Sequence, residues 1–306
     1  MFRAAFSAVL ASSFVVSLAL SAEEEEEPEA IESAPTPSAS SLPASARARD
    51  GGAIWRRPLL STLVRDGMAM IPSGKFVVGS RQTKAAPNER PSHVIALRSF
   101  WIDLTEVTVA DYRTCVERKG CTAPLRTSPF CTFEKEDGRL PINCVSWVQA
   151  DAYCRSVGKR LPREPEWEAA AHGPDTMKFP WAGNASSCFM ANTLINEHSS
   201  KRCTKDAPSR VGLHPYGRSP YGIDDMAGNV EEWTADYYSE AYTEFAPTSG
   251  ASRVLRGGGW LSAPSLATTT ARDWASALEA GPNVGFRCAK DDSGDGGVGA
   301  PKPRAK

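Results

Sequence analysis

Eight cysteines and four histidines are the side chains of this chain best suited to hold a soft metal or to attack a substrate. The cysteines are Cys115, Cys121, Cys131, Cys144, Cys154, Cys188, Cys203 and Cys288. No Cys-x-x-Cys pair occurs, which argues against a zinc site or a dithiol redox centre. The histidines, His93, His172, His198 and His214, form no close pair on one helix face and read as surface or capping residues. Ser262 is not framed as Gly-x-Ser-x-Gly, so nothing marks it as a nucleophile. An even number of cysteines behind an apolar N-terminal run favours disulfides instead. Eight cysteines can pair in on the order of a hundred ways. Local spacing favours Cys115 with Cys121, Cys131 with Cys144 and Cys188 with Cys203, which leaves Cys154 with Cys288. A closure that long contributes on the order of 4–5 kcal/mol. If all eight pair, no thiol remains for copper or for nucleophilic attack.

The elements around these residues belong to one folded region. Arg3 followed by the apolar run Ala4 to Leu20, with small residues at Ala19, Ser21 and Ala22, reads as a signal peptide over residues 1–22. An uncleaved anchor is the alternative, and without a following cysteine a lipoprotein anchor is not supported. Residues 23–65, from Glu23 to Glu27 through Ser, Ala and Pro, read as a disordered acidic linker, and 292–306 as a similar tail. The domain is therefore 66–291, roughly 225 residues, a usual size for a single core. The chain is expected to be exported, with no membrane span once the signal is cleaved. A net charge of −1 and the lack of a basic stripe give nucleic-acid binding no electrostatic support.

Within the domain, Met68 to Gly79 reads as two strands around a Ser73-Gly74 turn, and Val94 to Asp103 as one further strand. Thr108, with Asp111 three residues on, opens a helix whose apolar positions are Val109, Tyr112 and Val116 and which ends at Gly120. Ser146 and Gln149 form a capping box for a second helix, with Val148, Ala152 and Tyr153 as its buried stripe and Gly158 as its stop. A third helix follows Leu161-Pro162. Glu164, Glu166 and Glu168 crowd its first turns, where the helix dipole favours anions, and Trp167, Ala170 and Ala171 face the core. Beyond Gly173 the elements become short. The expected class is α+β, with little regular structure and strong dependence on cross-links.

Several phrases are more specific than these patterns. They are Thr105-Glu106-Val107-Thr108, Pro141-Ile142-Asn143-Cys144-Val145-Ser146-Trp147, Gly158-Lys159-Arg160-Leu161-Pro162-Arg163-Glu164-Pro165-Glu166-Trp167-Glu168 and Phe179-Pro180-Trp181-Ala182-Gly183. Three more lie further along the chain: Gly228-Asn229-Val230-Glu231-Glu232-Trp233, Arg256-Gly257-Gly258-Gly259-Trp260 and Gly285-Phe286-Arg287-Cys288. In this order, from about Met68 to Asp291, they resemble the formylglycine-generating enzyme (sulfatase-modifying factor) family. The resemblance implies that family's fold, which is related to the C-type lectin fold, and it supports the pairing of Cys154 with Cys288.

The resemblance also implies sites. It matches a family calcium site to Asp225, Gly228, Val230 and Glu232, where two carboxylates and two carbonyls on a tight turn would suit a hard cation. It matches a second to Asn192, Thr193 and Asp206. The family binds copper(I) through two cysteines, and the matching positions here are Ser262 and Ala267. A family serine of the oxygen-binding region matches Gly259. Serine is a poor ligand for copper(I) and alanine is none, so structural calcium is expected and copper is not. The related ergothioneine-type sulfoxide synthases use iron on histidines from a separate helical domain, which is not expected from this sequence. Two functions stay open. One is a non-catalytic module that binds a protein or peptide ligand in the cell envelope, with Trp260, Ser262, Arg272 and Trp274 as its candidate surface, although these aromatics are equally compatible with the core. The other is a divergent metal-dependent oxidoreductase.

Overall fold

The computed structural model describes residue 60 and residues 62–183, 186–205 and 207–294. The signal segment, most of the linker and most of the tail lie outside the described residues, as does Asp206. The end of the expected linker already belongs to the fold, because β1 (Val64–Arg65) pairs antiparallel with β2 (Met68–Ile71). At the other end, Asp292 accepts hydrogen bonds from Ser99 Oγ at 3.0 Å and Trp101 Nε1 at 3.4 Å.

Three small sheets carry the domain. The first has the order β1-β2-β5-β10, where β5 is Phe100–Asp103 and β10 is Ala289–Asp291. The second pairs β3 (Gly74–Val78) with β4 (His93–Leu97). The third has the order β8-β7-β6-β9, with β6 Glu231–Tyr237, β7 Ser252–Arg256, β8 Arg272–Ser276 and β9 Val284–Gly285. The two strands expected around Ser73-Gly74 are present as β2 and β3. The single strand expected over Val94–Asp103 is instead two, β4 and β5. They join different sheets, so the chain turns a corner at Arg98–Ser99, which an unbroken apolar pattern does not reveal.

Helix α1 (Val109–Glu117) starts where Thr108 Oγ1 accepts from Asp111 N, and α2 (Trp147–Ser156) has the Ser146/Gln149 capping box. The buried face of α2 is Ala150, Tyr153 and Cys154, while Val148 is 49 % exposed and Ala152 is exposed as well. Helical spacing alone misplaces this face. The Cys154–Cys288 bond, packed with Tyr112 and Phe286, decides which side turns inward. Helix α3 (Glu164–His172) ends at Gly173 with φ +70°, and Trp167 with Ala169 to Ala171 is fully buried. Its glutamates are buried too. Each is matched by arginine: Glu164 by Arg272, Glu166 by Arg160 and Arg163, and Glu168 by Arg256. The helix dipole alone does not account for them, because burial of a carboxylate requires a partner.

All four disulfides have the expected pairing, and none of the eight cysteines is free. Four such bonds are the pattern of an oxidising compartment. Among the described residues no helix is long and apolar enough to cross a membrane.

Candidate functional site

The loop after β7 is built by close backbone approach. A Cβ at Gly258 would lie 2.5 Å from Leu266 O, and one at Gly259 would lie 2.3 Å from Asn283 Oδ1. The Asn283 side chain therefore occupies the space in front of Gly259. It also organises the next residues of the loop: Asn283 Oδ1 accepts from Leu261 N at 3.0 Å, and its Nδ2 donates to Ser262 Oγ at 3.1 Å. Ser262 Oγ accepts a second hydrogen bond from Gly259 N at 3.0 Å. Ala267 is fully buried with Phe179, Trp181, Ala191 and Ala227. The two positions matched to copper cysteines thus hold a hydroxyl that stitches its own loop together and a methyl that fills the core.

The surface expected at this place is not one surface. Trp260 is fully buried, donates from Nε1 to Pro282 O at 3.0 Å, and meets the Phe130 ring edge-on at 5.5 Å. Ser262 and Arg272 are buried as well. Arg272 grips Glu164 with two hydrogen bonds of 2.6 and 3.0 Å and donates to the carbonyls of Asn88 and Ser239. Only Trp274 is open, 48 % exposed and stacked on Tyr238 with ring centroids 4.3 Å apart. An accessible groove of about 640 Å³ lies beside this loop, lined by Ser265, Leu266 and Thr268 together with Arg81, Lys84 and Lys178.

The turn before β6 holds the residues matched to calcium. Asp225, Gly228 and Asn229 adopt positive φ, and a Cβ at Gly228 would lie 2.5 Å from Asn192 O, so the turn packs directly on the Asn192–Thr193 segment. Asn229 ties the two together. Its N donates to Asn192 O at 2.8 Å, its Oδ1 accepts from Ser209 N at 2.8 Å, and its Nδ2 donates to Glu106 Oε1 at 3.0 Å. Glu232 is taken by other partners. Arg287 holds both of its oxygens at 2.7 Å, and Trp167 Nε1 donates to Oε2 at 2.7 Å. Asp225 accepts from Gly212 N at 2.6 Å.

Electrostatics follow this packing. Burial, with Asp224 and Glu232 nearby, pushes Asp225 up to about 6. Burial and the neighbouring Asp225 hold Glu106 well above the usual carboxylate range, and its Oε2 has no hydrogen-bond partner. Burial alone would lower the Arg287 pKa, but Glu232 with Glu106 and Asp225 holds it above the usual guanidinium value. Of the four residues matched to calcium, Glu232 is therefore engaged by Arg287 and Asp225 by the Gly212 backbone. Among the described residues no three His, Cys, Asp or Glu side chains converge as metal ligands.

The histidines are dispersed. His172 and His214 are buried rather than at the surface, with His172 Nδ1 at 2.6 Å from Gly173 O and His214 Nε2 at 3.2 Å from Ser209 Oγ. His93 packs edge-on against Tyr242, and His198 is exposed. Sequence reasoning missed Asn283, Glu106 and Arg287 as organising residues. The signal present was the Gly257–Gly259 run, which marks close approach without saying by what.

Comparison with known proteins gives the same frame. Residues 60–292 match the family model described as sulfatase-modifying factor enzyme 1-like domain. The chain is 31 % identical to the hercynine oxygenase of Mycolicibacterium smegmatis, over 76 % of this chain and 65 % of that protein, so it spans slightly less than two thirds of that relative's length. It is 30 % identical to the inactive C-alpha-formylglycine-generating enzyme 2 of Mus musculus, over 72 % of this chain and 85 % of that one. Among solved structures, PvdO from Pseudomonas aeruginosa is similar with a TM-score of 0.62 and 24 % identity, over 73 % of this chain and 94 % of that one. With matched phrases, matched fold and a family model that covers most of its length, the chain belongs to the sulfatase-modifying factor enzyme 1-like domain family.

Proposed function

We propose that this protein is an exported, non-catalytic member of the family that binds an extended ligand in the groove beside Ser265 and Leu266. The observation that carries this reading is Ser262, whose hydroxyl is held by Gly259 N and Asn283 Nδ2 where the family resemblance places a copper thiolate. With all eight cysteines in disulfides, no thiolate is left to replace it. The Asn283 amide against Gly259 removes the adjoining space as well. Loss of a metal-held reactive centre returns the barrier towards its uncatalysed height.

The second reading, a metal-dependent oxidoreductase, draws on the similarity to a hercynine oxygenase. One experiment separates the two. The purified protein is incubated with copper(I) or iron(II), then with a cysteine-containing peptide under oxygen. No stoichiometric copper or iron and no oxygen uptake above the metal-only control are expected. Bound metal with turnover overturns the first reading. Two or more free thiols in the oxidised protein would reopen copper.

A further inference from the structure

A second cavity, of about 1260 Å³, shares no lining residue with the Ser265 groove and lies where α2, the α2–α3 connection, the Leu97–Ser99 corner, the segment from Asp291 to Gly294 and parts of β6 and β7 meet. Arg155, Arg160, Arg163 and Arg253 line it beside Trp147. Three of these guanidiniums have carboxylates on the same wall. Arg155 meets Asp151 at 2.9 Å, Arg160 meets Glu166 at 2.7 Å and Asp291 at 2.6 Å, and Arg163 meets Glu166 at 2.7 Å. Arg253 differs. It has no carboxylate within ion-pair distance among the described residues, and its Nη1 donates to the Ala235 carbonyl at 2.6 Å. Its guanidinium lies over the Trp147 and Tyr237 rings, 3.8 and 3.5 Å from their centroids, and its Nε is buried without a hydrogen-bond partner.

Two aromatic faces favour a cation, and Asp151 and Asp236 act on its charge without pairing with it directly. Burial lowers the Arg253 pKa, with Tyr237, Asp151 and Asp236 acting in the opposite direction. Arginine forks match tetrahedral oxyanions with paired donors. A cavity this large exceeds what a bare ion fills and suits an organic ligand. We propose that this cavity binds a phosphate or sulfate ester, with the oxyanion on Arg253 and the rim guanidiniums Arg155 and Arg163 and the organic part beside Trp147. Nothing in the Ser262 loop takes part, so the site is independent of the groove.

The test titrates phenyl phosphate and inorganic phosphate into the full chain and follows the indole N–H signal of Trp147. That group donates to Thr234 O at 2.7 Å beneath Arg253 and reports on the site directly. A saturable shift at roughly millimolar phenyl phosphate is expected. Arg253→Gln is expected to weaken it about tenfold or more, the loss of one charge-assisted contact. Arg155→Gln changes a side chain that is 73 % exposed, leaves the fold intact and is expected to weaken binding by about threefold. Tighter binding of phenyl phosphate than of inorganic phosphate supports the ester, and equal binding overturns that assignment. No shift in the wild type, undiminished binding in both folded arginine variants, or loss of binding in Lys84→Gln instead overturns the site.

Discussion

Glu232 shows how a single residue's role is settled by its neighbours. Arg287 and Trp167 engage it from two sides in the fully buried interior. Removal of one partner of a buried pair leaves an uncompensated charge, so Arg287→Met is expected to cost about 3–5 kcal/mol in urea unfolding, while Arg287→Met with Glu232→Leu recovers a large part of it. Because the ion pair already neutralises Glu232, chelation with EDTA is expected to leave the unfolding midpoint unchanged. A calcium-dependent rise in midpoint would return the ion to this turn. Gly259→Ala tests the other loop. Its Cβ meets Asn283 Oδ1 at 2.3 Å, and a loss of about 1–3 kcal/mol is expected from overpacking. The phrase around Gly228 and the glycine run were legible in the sequence. Their partners were not, since Asn283 and Arg287 come from segments whose approach is a tertiary fact.

At the scale of elements, α3 concentrates the charge problem of the fold. Burial is the largest single influence on Glu166 and Glu168 and would raise both, but Arg160 and Arg163 together outweigh it at Glu166, and Arg256, His172 and the Gly79 N–H together outweigh it at Glu168, so both lie below the usual carboxylate range. These two groups contribute stability that is present at neutral pH and lost as pH falls through their lowered pKa values. Asp236, which accepts from Glu164 N at the start of the helix, goes the other way. Burial raises it to about 6, so its contribution is complete below the ordinary Asp value and is lost as pH rises towards 6. Asp236→Asn keeps an acceptor for Glu164 N and removes the charge. We expect it to stabilise the protein by about 1 kcal/mol at pH 7 and to change little near pH 4, read as urea midpoints at the two pH values. An equal effect at both would place the role of Asp236 in packing. The start of α3 and its glycine stop were readable from spacing, but the burial of its three glutamates was not.

At the scale of the molecule, the cross-links differ in what they close. Cys154–Cys288 spans 134 residues and joins α2 to the residue before β10, whereas Cys115–Cys121 spans 6. Chain entropy predicts that Cys154→Ala with Cys288→Ala costs about 5 kcal/mol, against about 2 kcal/mol for Cys115→Ala with Cys121→Ala. Calorimetry on the two double variants checks this order, and equal losses would show that native packing rather than loop closure sets the cost. The same long closure, with the parallel β6–β9 pair, brings Arg287 under Glu232 and Asn283 against Gly259. The site therefore depends on the last quarter of the domain reaching its middle.

By itself the sequence determined the family, the three short-range disulfides, the helix starts and the missing copper cysteines, and it reached Cys154–Cys288 by elimination and from the family resemblance. The first four are properties of residue identity and of local or strongly patterned spacing. Only the tertiary structure decided that Trp260, Ser262 and Arg272 are interior, that Val94–Asp103 is two strands, and that Glu232 serves an arginine. The reason is physical: burial and charge pairing belong to segments distant in sequence, and neither partner carries the other's address.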